Sequence, residues 1–533
     1  MAIALLALAV RLAQLGERPM HTDESVNAYL TGDLLAGEAF RYDPQDRHGP
    51  ALFVLAEPLA RLLGAKQFSD LTETQLRLGP VLAGTAAILL CGAAVEMFGL
   101  VACVVAAVLL AFAPLPLYYG RYFIHETLFV AATFGLILSG WHAVKGHSAP
   151  AAATAGLCAG LMFTCKETAV IHFFALGAAG AICWFLPPPG RPLNRLGLLK
   201  PGLIAALVFL CASVLLFTWF GRNWRALEDL LRAIPNFAAR AGGEGHQKPF
   251  WYYAALLGGG WSGAALMTVA AAGGLRVLLQ ARSELSGPRG FLVIYALLIA
   301  GIYSAIPYKT PWLALNCWLP LSLLAGLAVE WIWSSAKNSH ARAIVLTCAL
   351  ALGVLTAHDS WSRVFADPAG ERNPYAYAHT VEDLLRLPPR LEQLARKNHL
   401  GQPLIAVVAA DPWPLPWYLR HFSRVGFWQP GQDPGPADFY ITSPAAAANL
   451  GDRLKDFRPE YFGVRPEALI ILWLPEPADA RPGNARIHSF NQYAMVTPFQ
   501  APVADQGNSH AVPSARQSAN RAWPLRADYF LAP

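Results

Sequence analysis

The chain has 533 residues, of which 55% are hydrophobic and only 14% charged, with a formal charge of +6 and a mean hydropathy of +0.36. A soluble enzyme carries about a quarter charged residues, so this composition excludes an ordinary soluble domain. The basic residues are scattered through membrane-flanking loops, which argues against a nucleic-acid partner. All eight cysteines lie in the apolar part, none in a CxxC pair. That pattern suits small buried hydrophobes better than a disulfide framework or thiolate metal site.

The apolar runs extend from Met1 to about Thr356. Runs of about 20 residues span a bilayer, and the candidates are 1–16, 76–97, 99–119, 123–144, 151–164, 168–187, 199–220, 251–279, 290–307, 311–333 and 341–357. This predicts a polytopic α-helical protein of about 11 spans. The first run is short and carries Arg11, so it either lies in the interface or is the remainder of a longer span. Loops with Lys145; Arg191, Arg195 and Lys200; Arg282 and Arg289; and Lys337 and Arg342 contain one clear acid, Glu284. By the positive-inside rule these are cytoplasmic. The opposite loops, 17–75, 120–122, 164–167, 221–250, 308–310 and the tail from His358, are then extracytoplasmic.

The first outer loop opens on His21-Thr22-Asp23-Glu24 and contains two amphipathic helix candidates, Ser25–Ala36 and Ala51–Leu63. Asp23-Glu24 could be a helix cap whose acids favour the dipole. At the exit of a membrane span, beside a histidine, a carboxylate can also act as a general base on a hydroxyl. Tyr42-Asp43-Pro44 and His48-Gly49-Pro50 read as turns, with His48 able to fold back over the site. Next, Tyr118-Tyr119-Gly120-Arg121-Tyr122-Phe123-Ile124-His125-Glu126 joins two spans with almost no loop. Lys166-Glu167 marks another outer span end, and Pro307-Tyr308-Lys309-Thr310-Pro311-Trp312 is a proline-stiffened turn followed by Asn316. The bland accounts are an aromatic-belt anchor for Arg121, a local ion pair for Lys166-Glu167 and snorkelling for Lys309. Together the acids (Asp23, Glu24, Glu126, Glu167), histidines (His21, His48, His125) and cations (Arg121, Lys166, Lys309) suit group transfer from a lipid phosphate. His21, Asp23, His125 and Glu126 could also hold a divalent cation, although no spacing is diagnostic of one.

After His358 a small α/β domain is expected over 358–477. Its candidate strands are Leu404–Ala409, Asp438–Thr442 and Ala468–Leu474, and its helices lie near Val381–Lys397 and Ala445–Asp456. Trp413, Trp417 and Tyr418, in a proline-stiffened segment, either recognise an acceptor by stacking or dock the domain on the membrane part. Residues 478–533 are rich in Pro and Ala and read as a loosely ordered tail, apart from a candidate strand at Arg486–Val496.

HTDE, HGP, GRYFIHE, CKET, YKTPWL, NPYAYAHT and DPWPLPWYLR, from residue 20 to about 430, resemble the GT-C membrane glycosyltransferases. Protein O-mannosyltransferases and lipid A aminoarabinose transferases are similar in layout, and the motifs are closest to the flippase-activity-associated membrane family of glycosylation clusters. The resemblance implies a GT-C-like domain over 1–357 in the cytoplasmic (inner) membrane, with its active face extracytoplasmic. It further implies a polyprenyl-phosphate-linked sugar as donor and an extracytoplasmic acceptor (glycan, lipid or protein). The base role then carries over to Asp23, with Glu24 as neighbour or alternate, and phosphate binding to Arg121, Lys166 and Lys309. His21, His48, Tyr122, His125, Glu126, Glu167 and Asn316 are supporting residues around the cavity. No DxD triplet stands in the first loop, which leaves metal dependence open. The competing expectations are a transporter or flippase-associated protein for lipid-linked sugars, and a non-catalytic glycan-binding scaffold.

Overall fold

The computed structural model describes residues 1–44, 47–146, 148–185, 197, 199–241, 246–280 and 285–475. The expected tail, its candidate strand at Arg486–Val496, and the loop charges Arg191, Arg195, Arg282 and Glu284 lie outside these residues.

Seven described helices are long and apolar enough to cross a membrane: Glu73–Ala93, Glu126–Gly146, Leu199–Phe217, Gly260–Leu278, Pro288–Ala305, Pro311–Ser335 and Ser339–Ala366. Four shorter apolar helices, Ala2–Leu12, Leu100–Phe112, Ala149–Cys165 and Ala169–Phe185, fall on the remaining expected spans. The protein is thus a mostly helical integral membrane protein with a small C-terminal sheet. Its expected run 251–279 is divided by Gly258-Gly259-Gly260 into Tyr252–Leu257 and Gly260–Leu278. Gly260 has φ +76°, a conformation that side chains with a Cβ rarely adopt. Arg11 stands in the last turn of the short first helix. It is buried, and its guanidinium donates to the carbonyls of Leu110 at 2.6 Å and Ala111 at 3.0 Å, which end the neighbouring helix.

The first loop holds helices Thr22–Leu35 and Ala51–Leu62. The first begins three residues earlier than its apolar pattern suggests, because His21 and Glu24 form a reciprocal cap around its N-terminus.

Beyond residue 400 a five-stranded sheet has the order β2-β1-β3-β5-β4, with β1 Ile405–Val408, β2 Val425–Trp428, β3 Phe439–Thr442, β4 Phe457–Arg465 and β5 Ala468–Pro475. β1 runs parallel to β2 and β3, and β5 antiparallel to β3 and β4. The central strands β1, β3 and β5 are the apolar runs expected from sequence. The two edge strands were not. β4 carries Pro459, Gly463 and charged residues, which an edge tolerates and an apolar-run criterion rejects.

The sheet rests on the first loop. Met20, Ala28, Leu52, Leu71 and Leu76 share one hydrophobic cluster with Leu384, Leu391, Ile405, Trp417 and Ile441. Polar contacts fix the register: the Tyr418 hydroxyl accepts from the Met20 amide at 2.9 Å, and Thr380 donates to the Met20 carbonyl at 2.7 Å.

Candidate active site

Asp23 and Glu24 are adjacent in sequence and differ completely in surroundings. Glu24 is fully buried. Its carboxylate accepts from Arg77 Nε and Nη2, both at 2.8 Å, from Arg18 Nη2 at 3.3 Å, and from the amides of Phe123 at 2.9 Å and His21 at 3.1 Å. Burial alone would raise its pKa, but the two guanidiniums outweigh it and hold the carboxyl well below the usual range. So placed, Glu24 ties the first loop to the helix Glu73–Ala93, and its carboxylate is engaged by donors rather than open to an acceptor hydroxyl as an alternate base would be. Asp23 keeps a side chain 36% exposed, 3.9 Å from His21 Nδ1. That nitrogen accepts the Asp23 amide at 3.0 Å, which assigns the ring proton to Nε2, facing the Tyr377 carbonyl at 3.1 Å. Burial keeps His21 below its ordinary pKa.

A second cluster forms where the first loop meets the end of helix Ala149–Cys165. His48 Nδ1 lies 2.7 Å from Glu167 Oε2, and the Tyr42 hydroxyl donates to Glu167 Oε1 at 2.9 Å. Burial would raise Glu167, but His48 and Tyr42 hold it at about 2. Lys166 makes a buried ion pair with Glu126, and His125 Nε2 stands 3.3 Å from the Gly49 carbonyl. Gly49 is needed here, because a Cβ would lie 2.2 Å from the Thr164 carbonyl oxygen. The His-Gly-Pro turn is therefore pinned against the helix end that presents Lys166.

These groups border a cavity lined by Pro44, His48, Lys166, Glu167, Thr168, Ile171, Ala233, Tyr303, Ile306, Tyr308 and Leu313. One end is ionisable and most of the rest apolar, a shape suited to a lipid carrying a polar head. Lys309 lies beside it, its ammonium donating to the carbonyls of Ile306 and Lys248. The His246 ring packs against Tyr308, centroids 4.9 Å apart, and Asp23 is close enough to act on the charge of His246. Asp23 does not line the cavity; only its charge reaches His246, which packs on the lining Tyr308.

Other expected site residues fall elsewhere. Arg121 does not line this cavity; it donates to the carbonyls of Ala13 and Gln14, the latter at 2.9 Å. Tyr122 is buried, its ring 5.5 Å from His21 and under the Arg18 guanidinium at 4.5 Å. Asn316 donates to the Leu313 carbonyl at 3.1 Å, which supports the cavity wall. Trp413, Trp417 and Tyr418 are all buried, so their faces are closed to a glycan. Trp413 packs on Tyr29, and Trp417 donates to Glu73 at 2.9 Å under the Arg420 guanidinium. Their contacts are those of docking. His21, Asp23, His125 and Glu126 do not converge as a ligand set, and among the described residues no three His, Cys, Asp or Glu side chains are placed to hold a metal ion.

Arg77, Arg18 and His246 escaped the sequence reading. A lone Arg77 near the start of an apolar helix was the available signal for an acid partner.

Residues 54–219 match the family described as dolichyl-phosphate-mannose-protein mannosyltransferase. ArnT from Cupriavidus metallidurans bound to undecaprenyl phosphate is similar in structure, with a TM-score of 0.61 at 16% identity over 88% of this chain and 97% of ArnT. The oligosaccharyltransferase AglB from Archaeoglobus fulgidus, in complex with an inhibitory peptide and a dolichol-phosphate, gives 0.51 at 16% identity, over 89% of this chain and 76% of AglB. No curated protein is similar enough in sequence to match. The chain therefore has the GT-C fold of these membrane proteins.

Proposed function

We propose that the protein is a glycosyltransferase that moves a sugar from a polyprenyl-phosphate donor to an acceptor hydroxyl on the extracytoplasmic side of the membrane. The observation that carries this reading is the cavity itself, apolar toward Ile171, Ile306 and Leu313 and ionisable at Lys166, His48 and Glu167. Two further facts support it: the chain has the fold of ArnT, which binds undecaprenyl phosphate, and of AglB, which binds a dolichol-phosphate.

In this reading the prenyl chain lies along the apolar wall and the phosphate meets Lys166, with Lys309 and His48 beside it. Lys166 already pairs with Glu126 and His48 with Glu167, so both positions are fixed before the donor arrives. Asp23 takes the proton of the acceptor hydroxyl. The hydroxyl oxygen forms a bond to the anomeric carbon while the bond from that carbon to the phosphate oxygen breaks. The prenyl phosphate leaves with the electron pair, and the configuration at the anomeric carbon inverts in this single displacement. Glu24 holds the loop that aims Asp23. Burial of Trp413, Trp417 and Tyr418 removes the platform on which a glycan-binding scaffold would depend.

The test is transfer of labelled sugar from polyprenyl-phosphate donors by the purified chain in proteoliposomes. Asp23→Asn should lower the rate by about 100-fold or more with folding retained. A rate close to wild type in that variant would remove Asp23 from the mechanism, and absence of transfer from a panel of such donors would remove the proposed activity.

A further inference from the structure

A second, small cavity lies away from the first among Gln14, Glu17, Arg18, Arg77, Arg121 and Phe365. Three arginines border it. Arg18 and Arg77 share the single buried acid Glu24, and Arg121 has no acid among its hydrogen bonds. Arg18 and Arg121 are 9% and 6% exposed, and the Nε of each is buried without a hydrogen-bond partner. The Arg121 guanidinium lies over the Phe365 ring at 4.6 Å, and that of Arg18 over Tyr118 and Tyr122. Burial, and then the neighbouring Arg18, Arg77 and Arg11, bring the Arg121 pKa down to about 9. Only the exposed Glu17 opposes this. A buried surplus of positive charge with unused donors is costly unless an anion completes it.

We infer that this arginine pocket is a separate binding site for a phosphate-class oxyanion. It is independent of the donor cavity and of the transferase reading. Its height in the fold suits a lipid phosphate. The pocket sits where helices Ala2–Leu12 and Ser339–Trp361 end, and Trp361, 63% exposed and stacked on Phe365 at 5.5 Å, is placed as an interfacial anchor. The same chemistry would accept free phosphate.

The probes are phosphatidylglycerol, phosphatidylcholine and inorganic phosphate, added at constant ionic strength to the full-length protein in detergent while thermal unfolding is followed. Phosphatidylglycerol or inorganic phosphate should raise the midpoint, and phosphatidylcholine should not. A response to phosphatidylglycerol alone assigns a headgroup; a response to inorganic phosphate as well assigns a free-anion pocket. Arg121→Gln should remove the part of the shift that this pocket supplies, and that part should persist in His48→Gln, in the other cavity. Glu17→Gln, at an exposed position, should tighten anion binding by roughly two- to fivefold. A shift of equal size in Arg121→Gln, its loss in His48→Gln, or no shift from either anion would overturn the inference. If Arg121→Gln fails to fold, Glu17→Gln decides, and an unchanged dissociation constant contradicts the site.

Discussion

Glu24 is fully buried among donors and Asp23 is about one-third exposed beside His21, and this difference separates their expected mutational effects. Glu24→Gln leaves Arg77 buried without its carboxylate, so it should cost roughly 3–5 kcal/mol and appear as loss of folded protein before any kinetic effect. Asp23→Asn should spare the unfolding midpoint. A normal midpoint for Glu24→Gln would contradict the role assigned to the ion pair. Acid should also weaken the fold in a defined window. Burial keeps His21 and the buried His379, whose ring lies 5.5 Å from that of His21, below the ordinary 6.5, so below that pH the unfolded chain takes up protons that the folded one does not. Stability is then flat above about pH 7 and falls as the pH drops through 6.5. Glu167 acts lower. Its contribution is present above 4.5 and is lost as the pH falls toward about 2. Thermal unfolding between pH 8 and pH 5 checks this, and a midpoint that rises on acidification would contradict it.

At the scale of elements, the segment Asp411–Tyr418 joins the sheet to the first loop. Trp417→Ala removes a buried ring, its bond to Glu73 and the surface under Arg420, and should destabilise by about 3–5 kcal/mol. The expected readout is a lower unfolding midpoint; sugar transfer per folded molecule should remain. Selective loss of transfer with an unchanged midpoint would restore acceptor recognition to this ring. The aromatic residues were conspicuous in the sequence, but their burial was not, because it depends on a first loop about 350 positions away in the chain. The apolar spans were legible for the opposite reason: a helix in lipid satisfies its own backbone, so its signature is local. Edge strands β2 and β4 gave no such signature. Arg77 was visible as a charge at a helix start, yet its pairing with Glu24 is a long-range fact.

At the scale of the molecule, the turn that carries His48, the Lys166 helix end and the Ile306–Tyr308 segment border one cavity, while the arginine pocket stands apart. The donor phosphate is proposed to bind in the first and not in the second. Cryo-electron microscopy of the purified chain with an added polyprenyl phosphate tests this directly. The expected result is phosphate density within hydrogen-bond reach of Lys166, with Lys309 or His48 beside it, and prenyl density running along Ile171, Ile306 and Leu313. Prenyl phosphate density confined to the Arg121 pocket, or an empty cavity at saturating lipid, would contradict the account.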